Sequence, residues 1–150
     1  MNNHIQQKKT LKLLLKAEKT NRGNPNHSYQ IACIYDQLGQ EREAIPFYQK
    51  AIHHGLKGDE LKSAYLGMGS SYRCIGRYAA ANQTFRKGIN RFPEDNAMKV
   101  FYAMNLFNLK KYQKAIEILL KLIMLTSHDQ HIQKYQKAIE FYSNKLSKKF

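Results

Sequence analysis

Three stretches of this chain carry one pattern of small, aromatic and aliphatic residues, and that repetition constrains the fold more than any other feature. The first stretch is Ile31, Ala32, Tyr35, Gly39, Ala44, Tyr48, Ala51 and Ile52. Shifted by 37 positions it becomes Met68, Gly69, Tyr72, Gly76, Ala81, Phe85, Gly88 and Ile89, with Pro93 behind. A further 34 positions give Tyr102, Ala103, Leu106, Ala115, Leu119, Leu122 and Ile123. One such unit cannot bury an apolar face alone, so copies in register imply a stack in which each covers its neighbour.

Each unit reads as two helices. The first has apolar residues at helical spacing (Ile31, Ile34, Tyr35, Leu38) and stops at Gly39, a residue suited to the left-handed position after a helix. The second opens on Glu41, Arg42 and Glu43, whose carboxylates suit the positive helix end, and runs to Gly55. Ala32, Gly69 and Ala103 allow close helix approach, and Tyr48 and Phe85 fill the space between units. Ends of a stack need covers. Residues 4–20 predict a helix with Ile5, Leu11, Leu14 and Leu15 inward. Residues 130–150 predict a single helix with Ile132, Tyr135, Ala138, Ile139, Tyr142 and Leu146 on one stripe, behind the capping oxygens of Thr126, Ser127 and Asp129.

The pattern resembles the tetratricopeptide repeat, a helix-turn-helix of 34 residues. Stretches such as Glu43-Ala44-Ile45-Pro46-Phe47-Tyr48 and Gly67-Met68-Gly69-Ser70-Ser71-Tyr72-Arg73 resemble the short bacterial proteins of tetratricopeptide repeat group 5. The resemblance implies an all-α, right-handed solenoid forming one domain over 1–150. Its helix pairs are assigned to 25–58, 62–95 and 96–129, with capping helices at 1–24 and 130–150, about eight helices in all and no strand. Two departures stand out. Ser28, Tyr65 and Lys99 occupy the family's early tryptophan position, and Lys110 replaces the turn glycine in the third unit.

Chemistry is harder to find. Gly67-x-Gly69 lacks the preceding strand and third glycine of a dinucleotide loop, and both glycines fall inside a predicted helix. Neither Cys33 nor Cys74 has a histidine within a turn to make thiolate. His53-His54 and His128-x-x-His131 do not make up the four ligands of a structural zinc site. The pairs Asp59-Glu60 and Glu94-Asp95 lie where first helices begin, so capping and dipole complementarity account for them. No catalytic, cofactor or metal constellation emerges, and the reading is a non-enzyme. Two cysteines suit a reducing cytoplasm, and the longest apolar run, Ile118 to Leu125, is broken by Lys121 and too short to span a bilayer.

The formal net charge is +14, and only the segment 25–61 sums negative. Lysines recur on outward helix positions throughout, as on a solvated face. Arg73, Arg77, Arg86, Lys87 and Arg91 form the best candidate patch for nucleic acid.

By resemblance, ligands lie along the concave surface lined by first helices. The lining positions of interest are Tyr29, Cys33, Asp36 and Gln37 in unit one and Leu66, Ser70 and Arg73 in unit two. Unit three supplies Val100, Phe101, Met104, Phe107 and Asn108. Tyr29, Cys33, Gly67, Ala97 and Phe101 stand where the family's carboxylate clamp has lysine, asparagine and arginine, which disfavours binding of a chaperone tail. The leading expectation is therefore a protein-interaction module that binds a peptide or helix in this groove, with its energetic centre at the apolar residues of unit three. Arg73, Asp36 and Gln37 are expected to orient the ligand. A nucleic-acid-associated regulator and a self-associating structural protein are the alternatives.

Overall fold

The computed structural model describes residues 2–21 and 23–149; Met1, Arg22 and Phe150, which fall in the predicted end segments, lie outside them. Nine helices and no strand occur among the described residues: α1 (Asn2–Thr20), α2 (Pro25–Gln37), α3 (Glu41–His53), α4 (Gly58–Cys74), α5 (Tyr78–Arg91), α6 (Asn96–Asn108), α7 (Tyr112–Thr126), α8 (Gln130–Lys134) and α9 (Gln136–Ser143). Helices α2 and α3, α4 and α5, and α6 and α7 make the three pairs. Each pair packs on the next, and the first helices also meet directly, α2 on α4 and α4 on α6. The result is an all-α right-handed solenoid.

Local chemistry sets the helix ends. The Asn24 side chain accepts from the N–H groups of Asn26 (2.9 Å) and His27 (3.3 Å), and Pro25 follows at a position where its missing N–H has no consequence. Asp95 accepts from the Met98 N–H at 2.9 Å. All three first helices close on the same turn: N–H groups of Gln40, Arg77 and Lys111 bond back to the carbonyls of Tyr35, Tyr72 and Leu106 at 2.9, 2.8 and 2.9 Å. The residue just before each donor is left-handed, with φ of 69° at Gly39, 77° at Gly76 and 60° at Lys110. Lys110 thus holds the glycine turn despite its side chain, at a cost of order 1 kcal/mol. Lys110→Gly should raise stability by about 1 kcal/mol in chemical denaturation; a loss would show that the lysine stabilises the turn in some other way.

Alanines allow the helices to pack closely. Ala32, Ala44, Ala51, Ala64 and Ala81 are wholly buried beside Tyr48, Tyr72, Phe85 and Met98. A smaller cluster of Ala103, Leu106 and Ala115 holds the third pair. Gly67 and Gly69, inside α4, are packing positions. A Cβ on Gly67 would collide with the Tyr48 hydroxyl, and one on Gly69 would lie 2.5 Å from the Phe85 ring.

Both ends depart from expectation. Helix α1 packs on α2, but Ile5 is exposed rather than inward, while Leu11, Leu14 and Leu15 are half-buried. The amide of Gln7 donates to Gln37, the last residue of α2, at 2.8 Å, so the start of α1 overhangs its shorter partner. The C-terminal segment is two helices instead of one. The Tyr135 N–H bonds to the Ile132 carbonyl three residues back (3.1 Å), a tight turn that ends α8 and rotates α9. Ile132 and Ile139 are therefore half-buried, whereas Tyr135, Ala138, Tyr142 and Leu146 are exposed. Helix α9 packs on α7.

Candidate protein-binding groove

Helices α2, α4 and α6 meet one another along one side of the stack and carry all twelve expected groove residues. At the α2–α4 joint most of the polar ones are occupied by the fold, the buried Ser70 hydroxyl being the exception. The Tyr48 hydroxyl reaches across from α3 and donates to the Asp36 carboxylate at 2.8 Å. The Ser71 hydroxyl donates to the other Asp36 oxygen at 2.6 Å. Cys33 lies 3.9 Å from the Tyr48 hydroxyl, and the Tyr29 ring packs 6.4 Å from the Tyr48 ring. Gln37 accepts from Gln7, and the Arg73 Nε donates to Asn108 at 2.8 Å. Asp36, Gln37, Arg73 and Asn108, three of them expected to orient a ligand, also tie one helix to another.

Burial shifts the acid–base behaviour of this joint. It pushes the Tyr29 hydroxyl up to about 12 and raises the Tyr48 hydroxyl further. It also raises the Cys33 thiol, which works against thiolate formation. The Asp36 carboxyl is raised above its ordinary 3.8, chiefly by burial, although its bonds from Ser71 and Tyr48 pull it down. An acid held more protonated in the fold stabilises fully below its unfolded value and loses that contribution as pH rises through its folded value. The stability of wild type relative to Asp36→Asn should therefore improve on going from pH 7 to below 3.8. Paired thermal melts across that range check it; an opposite trend would mean that the hydrogen bonds outweigh burial.

The apolar end of the groove is different. On α6, Val100, Met104 and Phe107 are 37%, 39% and 62% exposed, while Phe101 packs against the main core. At the corresponding α4 positions Leu66 is half-buried, and Ser70 and Arg73 are polar. Phe107 meets Tyr112 edge-on, with ring centroids 5.0 Å apart. The best candidate nucleic-acid patch is dispersed. Arg73 borders the α6–α7 cleft, Arg77 covers the Tyr72 ring at 5.1 Å, Lys87 edges a hollow with Gln49 and His53, and Arg91 edges another beside Leu56.

Among the described residues no cluster of three or more His, Cys, Asp or Glu is placed to hold a metal ion, and no helix is long and apolar enough to cross a membrane. Sequence reasoning missed Glu18, which is buried, accepts from the Ser28 hydroxyl at 3.1 Å and pairs with Lys50, joining α1 to both helices of the first unit. It is the one acidic residue of α1, and that isolation among lysines was the available signal.

The TPR_5 family model, described as Tetratrico peptide repeat, matches residues 25–146. The chain is a group 5 tetratricopeptide-repeat protein. Among solved structures it resembles "MamA RS-1 ArsTM double mutant", with a TM-score of 0.73 at 15% identity, covering 94% of this chain and 78% of that one. At that identity the likeness bears on the fold alone. No curated protein matches the chain. Membership of the tetratricopeptide-repeat family supports a protein–protein interaction scaffold.

Proposed function

We propose that this tetratricopeptide-repeat protein is a non-enzymatic scaffold that binds a peptide or short helix of another protein in the groove of α2, α4 and α6. The observation that carries the reading is the run of Val100, Met104 and Phe107, exposed on successive turns of α6 beside a groove in which Asp36, Arg73 and Asn108 are already hydrogen-bonded within the fold. Contiguous exposed apolar area marks interaction sites, and methionine adapts to varied anchors. The free thiols of Cys33 and Cys74 fit work in a reducing compartment such as the cytoplasm.

Affinity capture from the native cell extract tests this reading. The comparison is wild type against Val100→Arg, which places bulk and charge on the exposed side of the groove. Partners retained by wild type and lost by the variant, at an unchanged unfolding midpoint, are the expected result. Equal capture by both proteins would end the groove reading. The net charge of +14 favours a second reading, association with nucleic acid. Retention on RNA or DNA that falls steeply with salt, while capture is unaffected by the groove variant, would favour it.

A further inference from the structure

Each joint of the stack is closed by a residue at one register position of the first helix. Asp36 of α2 reaches Ser71 of α4, and its counterpart Arg73 of α4 reaches Asn108 of α6. The next counterpart is Phe107 of α6, one repeat of 34 positions further on, and it is exposed. Helix α9 packs on α7 without comparable packing on α6, so it does not take the place of a fourth first helix. What remains is a cleft of about 260 Å³ between α6 and α7, floored by Met104, Phe107, Ile116 and Leu119 and flanked by Arg73.

The rim of this seat is basic. Beyond Tyr112, which stacks edge-on against Phe107, a second hollow is bordered by Lys110, Lys111 and Lys114. Lys114 and Lys121 share Glu117, at 3.0 and 2.7 Å. Arg73, Lys110 and Lys111 make no ion pair among the described residues.

We propose that this open end seats an acidic amphipathic helix of another protein, its apolar side on Phe107 and Ile116 and its carboxylates toward Arg73, Lys110 and Lys111. The proposal rests on the scaffold reading above and adds a place and a charge to it. The chain's own tail is a poor occupant, because residues 130–150 carry five lysines against one glutamate. A second copy is no better: its one acidic segment, 25–61, already has the apolar faces of α2 and α3 inside the stack. Single-stranded nucleic acid stacks on flat aromatic platforms along a basic track. Here the rings stand at 61° to each other among aliphatic side chains.

The test is fluorescence anisotropy with a labelled helix-forming peptide of about 16 residues, leucines at i, i+4 and i+7 and glutamates on the flanks. Its twin has lysine for every glutamate, and an oligothymidylate is the third probe. Wild type should bind the glutamate peptide and not the lysine twin. Phe107→Ser and the double variant Lys110→Glu with Lys111→Glu should each weaken that binding at least about tenfold. Unfolding midpoints within a few degrees of wild type establish that both variants fold, as expected for exposed positions.

Four results would overturn the proposal: no binding of the glutamate peptide up to about 1 mM, equal binding of the two peptides, binding indifferent to both variants, or oligothymidylate displacing the peptide from the same site more tightly. If the groove variant loses its captured partners while Phe107→Ser keeps them, the scaffold reading stands and this one falls.

Discussion

Phe85→Ala should lower the unfolding free energy by about 3–5 kcal/mol, the range for removing a buried aromatic side chain. Phe85 is 0% exposed. Its ring lies against Gly69 so closely that a Cβ there would be 2.5 Å away, and Tyr102 of α6 packs on it at 6.4 Å. The ring therefore fills a space shared by α4, α5 and α6, where three helices cannot all close on the void. Urea unfolding followed by circular dichroism measures the loss. A change below about 1 kcal/mol would mean that the second pair is loosely packed, contrary to the glycine geometry.

Deleting residues 130–150 should have the second large effect. Beyond the third pair, helix α9 packs on α7, with the Ser143 side chain buried and the Gln113 amide donating to the Asn144 carbonyl at 3.4 Å. Helix α7 already exposes Ile116, Ile123 and Leu125. Taking α9 away bares more apolar surface, at about 1.5–3 kcal/mol for each aliphatic side chain returned to water. The truncated chain should melt lower and associate with rising concentration, as measured by light scattering. A soluble, monomeric truncation with an unchanged midpoint would remove the capping role from α9.

The paired-helix architecture was legible because its signals are local. Gly39 and Gly76 end first helices where the spacing places them, and Lys110 keeps the same turn without the glycine, because the backbone bonds of the turn outweigh its strain. The glycines Gly67 and Gly69 read correctly as packing positions, since the strand a phosphate loop requires was missing from the sequence. Side-chain partnerships across units were not legible. Nothing near Asp36 in sequence announces that Tyr48 and Ser71 will take both its oxygens, because those partners arrive only when α3 and α4 stack. Glu18 was passed over for a similar reason: in a lysine-rich helix a lone acid resembles solvated charge until Ser28 and Lys50 close around it. The end helices were read too regularly. Periodicity sees an apolar stripe at Tyr135, Ala138 and Tyr142, but it does not see the tight turn at Tyr135 that swings the stripe outward.

The polar ties at the first joint have a bearing on motion. Glu18 fastens α1 to α2 and α3, and Asp36 fastens α2 to α3 and α4, whereas α6 is tied back to α4 and α5 through Asn108 and Asn105 and leaves Phe107 exposed on its outer side. In a row where each pair leans only on its neighbours, opening begins at whichever end is least fastened. The start of the row is thus clamped, and its finish is expected to open first. Amide protons of α6 and α7 should then exchange sooner than those of α2 and α3. Anything that settles on the frayed end registers first as a slower exchange clock there, with no need for the rest of the row to change shape.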